Sequence, residues 1–112
     1  MPVLKVQTNV EIAEKEAFMQ EATGLLSEVL GKPTGYIMVI PEGECDLMFG
    51  GSTEPAAFLE LKSIGLPEND TARISAALCS FMEEKLGVPP GRIYIEFANA
   101  ERHLFGWNGG TF

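Results

Sequence analysis

The chain has 112 residues, 46% of them apolar, with 8 Lys+Arg against 16 Asp+Glu and a net charge of −8. This is enough for one domain, residues 1–112, with a thin core, and too apolar for a disordered chain. The charge excludes nucleic acid, whose phosphates need a Lys/Arg stripe, and disfavours an anionic membrane surface; no apolar run reaches the ~18–20 residues of a membrane span.

The N-terminus, MPVLKVQTNVEI, has neither a basic nor an apolar leader segment, so no signal peptide is expected and the default compartment is the cytoplasm. Residues 3–8 alternate as a strand, with Leu4 and Val6 opposite Val3 and Lys5. Phe18, Ala22, Leu25, Leu26 and Val29 then recur at helical spacing. Gly31 supplies a left-handed C-cap and Pro33 blocks continuation. The apolar run Tyr36–Ile40 reads as the next strand. Glu42, Glu44 and Asp46 lack the spacing and the closing bidentate Glu of a calcium loop and read as a solvated segment. Gly50-Gly51 reads as a turn rather than a phosphate cradle. Residues 57–63 form a third strand candidate. The sequon Asn69-Asp70-Thr71 is expected to be unglycosylated and to cap the helix that follows. That helix is striped by Ile74, Ala77, Leu78, Phe81 and Met82 and closed by Gly87 and Pro89. Residues 92–97 alternate again: Ile93, Ile95 and Phe97 on one face, Arg92, Tyr94 and Glu96 on the other. In the tail, Asn108-Gly109 makes a turn between aromatics.

The order repeats. EVLGKPTGYIMVI (28–40) aligns with EKLGVPPGRIYIE (84–96) at an offset of 56, with Glu28/Glu84, Leu30/Leu86, Gly31/Gly87, Pro33/Pro89, Gly35/Gly91 and Ile37/Ile93 identical. PVLKVQTNV aligns loosely with AAFLELKSI at offset 55. The expected architecture is therefore α+β: two β-α-β repeats, about 2–55 and 56–112, forming a four-stranded mixed sheet with two helices on one face. Two helices cannot cover both faces, so the second face calls for self-association.

Chemistry has few candidate carriers. His103 is the single histidine, which speaks against a His-based metal site or a Ser/His triad, and it reads as a surface residue. Cys45 and Cys79 form neither a CxxC nor a disulfide framework. The sequence opens Met-Pro, an arrangement from which initiator Met is generally removed. That would leave Pro2 as a secondary amine, able to abstract and return a proton if desolvation and a nearby cation keep it neutral. Lys32 stands where the repeat has Val88, just past a helix C-terminus, where a cation is favourable in any case.

Pro2, Gly31-Lys32-Pro33, Phe49-Gly50-Gly51-Ser52-Thr53-Glu54-Pro55, Ser63-Ile64-Gly65, Arg92-Ile93-Tyr94-Ile95 and Gly106-Trp107-Asn108 occur in order along the whole chain. Together they closely resemble the macrophage migration inhibitory factor family of the tautomerase superfamily. The resemblance implies a homotrimer with pockets between subunits, and cofactor-independent keto–enol tautomerisation of phenylpyruvate-like 2-oxo acids. Pro2 would be the general base and acid. Lys32 and the Ile64 backbone N–H would hold the substrate carboxylate. Tyr94 of a neighbouring subunit would form a pocket wall, with Tyr36, Phe105, Trp107 and Phe112 at the aromatic rim. It equally implies an alternative, a cytokine-like protein that binds a receptor after export by a non-classical route, with the enzymatic pocket vestigial. Three departures stand out. Ala56-Ala57-Phe58-Leu59 replaces the CxxC of well-known members, so thiol–disulfide chemistry is not expected. Glu96 stands where an Asn near the substrate ring is usual; it either enters the pocket or is a solvated or intersubunit ion-pairing residue. Phe105 is bulkier than the usual aliphatic residue and would narrow the mouth.

Overall fold

Alternation makes the first strand. In β1 (Val3–Thr8), Leu4, Val6 and Thr8 are buried while Val3, Lys5 and Gln7 are half-buried, the mark of a strand covered on one side. In a computed structural model describing residues 1–112, β1 is followed by α1 (Lys15–Leu30), β2 (Met38–Glu42), β3 (Ala57–Ile64), α2 (Thr71–Leu86), β4 (Ile93–Ala100) and a small hairpin of β5 (Gly106–Trp107) and β6 (Gly110–Thr111). The four long strands form one sheet in the order β2-β1-β3-β4. The outer pairs are parallel and the central β1/β3 pair is antiparallel, so the sheet is mixed as expected.

Both helices lie on one face of this sheet. Phe18, Ala22 and Leu26 of α1 and Ile74, Leu78, Phe81 and Met82 of α2 join Leu4, Val6, Leu59 and Leu61 in one apolar core. The Phe18 and Phe81 rings meet at 5.4 Å across the two helices. The opposite face is bare: Met38 is 56% exposed and Tyr94 66%.

The helix ends are alike. Gly31 (φ 65°) and Gly87 (φ 69°) both take the left-handed conformation and donate their N–H back to Ser27 and Glu83 carbonyls, at 2.9 and 3.0 Å. Each is followed by an extended proline, Pro33 or Pro89, and by a short 3₁₀ turn, Thr34–Tyr36 or Pro90–Arg92.

Those turns correct two sequence expectations. Tyr36 and Arg92 are not strand residues; each N–H bonds back to the proline carbonyl, at 3.2 and 2.9 Å, and the strands begin at Met38 and Ile93. The Asn69-Asp70-Thr71 sequon places Asp70 at the N-cap position of α2, as expected, but without a side-chain cap bond, and Asn69 lies in a 3₁₀ turn. The Asp70 carboxylate instead accepts from Arg73 Nε at 2.7 Å, a hydrogen bond that holds its pKa below the usual value. The Asn-Gly turn forms as expected: Asn108 (φ 52°) and Gly109 (φ 77°) are both left-handed and link β5 to β6.

Candidate active site

Pro2 precedes β1 and is buried. Its carbonyl accepts the Met38 N–H at 3.0 Å, which holds the start of the chain against β2. Met1 then lies at the junction of two cavities of about 210 and 230 Å³. They share Met1, Tyr36 and Phe112 and differ in chemistry. The first is a cationic lobe containing Lys32, Ile64 and Arg102. The second is apolar, lined by Met38, Phe105 and Trp107 among others.

The left-handed Gly31 cap sets the cationic lobe. It turns the chain out of α1 so that Lys32 follows on the half-buried side, and Ser27 Oγ donates to the Lys32 carbonyl at 2.6 Å. Lys32 Nζ lies 3.9 Å from the place a Cβ would occupy on Gly65, so the ammonium sits over the Ile64-Gly65 turn. Gly65 has φ +65°, a conformation that also disfavours a side chain there. No carboxylate forms an ion pair with Lys32. The chain's α-amine has its pKa lowered, first by burial and second by the Lys32 charge.

The aromatic lobe is built by the tail. The Phe112 N–H donates to the Phe105 carbonyl at 3.1 Å and folds the C-terminus back. Trp107 and Phe112 stack at 5.3 Å, and Tyr36 meets them edge-on at 5.6 and 6.1 Å. Phe105 closes the cluster, 5.9 Å from Phe112.

Pro2, Lys32, Ile64, Tyr36, Phe105, Trp107 and Phe112 therefore converge around the chain start. Tyr94 and Glu96 do not. They pair with Phe58 and Glu60 on β3, whereas β1 begins opposite Lys62. Tyr94 packs against Phe49 with tilted rings, centroids 4.8 Å apart, and Glu96 borders a shallow groove with Glu60 and Lys62. Within one chain, Glu96 is an exposed strand residue. His103 is likewise at the surface, 3.5 Å from Glu101. A larger concavity of about 380 Å³ lies on the bare sheet face between Lys5 and Lys62, and Met1 does not border it.

Arg102 was not foreseen. In sequence it sits in a charged turn, Glu101-Arg102-His103, that reads as solvated surface; only the fold sets it beside Lys32.

The profile of the family described as Macrophage migration inhibitory factor (MIF) matches residues 1–112. The chain is 40% identical over 114 residues to a macrophage migration inhibitory factor homolog of Trichinella spiralis, covering 100% of each. It is 35% identical to the macrophage migration inhibitory factor of Rattus norvegicus, over 100% of this chain and 99% of the other. Among solved structures, a macrophage migration inhibitory factor homologue from Prochlorococcus marinus superposes with a TM-score of 0.94 at 38% identity, covering 98% of both chains.

Proposed function

The chain belongs to the macrophage migration inhibitory factor family, and on that premise we propose that it is a keto–enol tautomerase of phenylpyruvate-like 2-oxo acids, with Pro2 as base and acid once Met1 is removed. The observation that carries this reading is the meeting of a cationic and an aromatic lobe at the start of the chain. An arylpyruvate has the same division: an acid head, an aromatic ring, and between them the carbon that loses a proton. A purely receptor-binding role gives no reason for both lobes to converge on an amine.

The reaction needs no redox change. Neutral Pro2 nitrogen takes a proton from the carbon between ring and ketone; the C–H electron pair forms the carbon–carbon double bond, and the ketone π pair moves onto oxygen. The carboxylate stays on Lys32 and the Ile64 N–H while charge develops. Proton return to oxygen gives the enol, and return to carbon restores the ketone. Burial first and the Lys32 charge second lower the pKa of the Met1 α-amine; the same two causes acting on a freed Pro2 amine would favour the neutral base.

The proposed assembly is a homotrimer. It would cover Met38, Ile40 and Tyr94 on the bare face and bring a neighbour's Tyr94 and Glu96 to each pocket. In that setting Glu96→Asn is expected to change the preference between phenyl and hydroxyphenyl substrates; an unaltered ratio removes Glu96 from the pocket.

Intact mass measures Met1 removal, and a phenylpyruvate enolisation assay then compares wild type with Pro2→Gly. Loss of about 10²-fold or more in kcat is expected for removing a general base. Equal rates would sink the Pro2 mechanism.

A further inference from the structure

The distribution of positive charge is uneven for so acidic a chain. Of the 8 Lys+Arg, Lys5, Arg73 and Lys85 are ion-paired with Glu42, Asp70 and Glu21. Arg92 is saturated by backbone carbonyls. Lys15, Lys32, Lys62 and Arg102 have no acidic partner within ion-pair distance. Two of these, Lys32 and Arg102, line the same lobe of about 210 Å³, and no Asp or Glu side chain lines it. The remaining walls are Met1, Pro33, Tyr36, Ile64 and Phe112. Lys32 is half-buried and Arg102 exposed, and the apolar side chains beside them strengthen the attraction of a bound anion relative to open water.

A single carboxylate neutralises one of these charges and leaves the other uncompensated. A head with two negative charges and three oxygens fits the pair better: the planar guanidinium can take two oxygens in a fork, and the ammonium the third. We propose that Arg102 is a second anion-binding residue of this lobe, and that Lys32 and Arg102 together receive aryl ligands with a dianionic head, phosphonate or phosphate, more tightly than the matching carboxylate. This rests on the tautomerase reading only in taking the same pocket as the ligand site; it requires no turnover.

The chain carries its own reporter. Trp107 is the single tryptophan and stacks on Phe112, which both lobes share. Titrations of Trp107 fluorescence with benzylphosphonate and phenylacetate, matched in ring and spacer, at mildly alkaline pH, compare the two heads directly. Wild type is expected to bind benzylphosphonate about tenfold more tightly, with the gap narrowing as salt is added. Arg102→Gln is expected to abolish most of that preference, and Arg102→Lys to retain part of it. The Arg102 side chain makes no hydrogen bond or ion pair whose loss would threaten the fold. Equal affinities in wild type, or an unchanged preference in Arg102→Gln, would overturn the proposal. Failure of the tautomerase reading looks different: Pro2→Gly turns over as fast as wild type while the head-group preference stands.

Discussion

At an offset of 56, Lys32 corresponds to Val88 and Tyr36 to Arg92, in turns of the same shape. In the first half Lys32 and Tyr36 line a cavity. In the second, Val88 is wholly buried in the core. Arg92 there donates to the carbonyls of Phe49, Ser52, Glu54 and Pro55 and lies 5.2 Å over the Phe49 ring. The cause is where each central strand begins. Strand register makes Val3 opposite Met38 the counterpart of Phe58 opposite Tyr94. Ahead of Phe58 the chain continues through residues 49–57, and Arg92 clamps this loop into the space. Ahead of Val3, Met1 lines the corresponding space without filling it. One supersecondary unit thus yields a filled corner and a pocket, according to whether a loop is clamped against the turn before its second strand.

Reciprocal substitutions test this contrast, and the largest effect should come from the filled corner. Val88→Lys places an unpaired ammonium in the core and is expected to cost about 4 kcal/mol or more; denaturant melting measures it, and a loss below 1 kcal/mol, on the order of a surface change, would mean that corner has room for a charge. Arg92→Ala comes next, at about 2–3 kcal/mol, because several charge-assisted bonds to loop carbonyls are lost. Tyr36→Ala, its counterpart, is expected to cost clearly less. Equal melting shifts for the two would erase the distinction between clamp and pocket wall. Lys32→Val, the reverse exchange, should leave stability within about 0.5 kcal/mol and raise KM for phenylpyruvate about tenfold through loss of an ion contact. A large melting shift with KM unaltered would reverse the assignment.

The smallest effect concerns pH. A base must be neutral, so kcat/KM is expected to rise as pH increases through the pKa of the Pro2 amine. Burial and then the Lys32 charge lower the pKa of the Met1 α-amine; if the same causes act on Pro2, Lys32→Gln removes the second and leaves burial in place. The rising limb should therefore move to higher pH, but only part of the way to an exposed amine. A limb that stays put or moves down separates Lys32 from the base.

Local chemistry was legible in the sequence. Gly31 and Gly87 announced their caps because a left-handed residue followed by proline is written in adjacent letters, and the repeat made Lys32 conspicuous by breaking it. The faces of β4 followed from alternation alone. Tyr36 was misjudged because its strand propensity yields to the Pro33-Thr34-Gly35 turn before it. Which residue of the Asn69-Asp70-Thr71 sequon would cap was not legible, because three competent caps stand in a row; Asp70 takes the position, and its carboxylate turns to Arg73 instead of the helix N–H groups. Arg102 was invisible for a different reason: its neighbour in the lobe, Lys32, belongs to the other repeat, and no local pattern joins them.

β1 is the first strand of the chain and also a central one, flanked by β2 and β3. Its full pairing must wait until residues as far as Lys62, the β3 partner of Val3, have been synthesised. Once it has docked, Pro2 is buried and Met1 is half-buried against the two cavities. On the proposed reading, maturation thus has a deadline: a processing enzyme must act on the emerging polypeptide before the sheet closes. Folded protein that still carries Met1 is expected to resist methionine aminopeptidase, and the same protein unfolded in urea is expected to lose Met1. Equal trimming of both would show that the sheet admits the enzyme after folding.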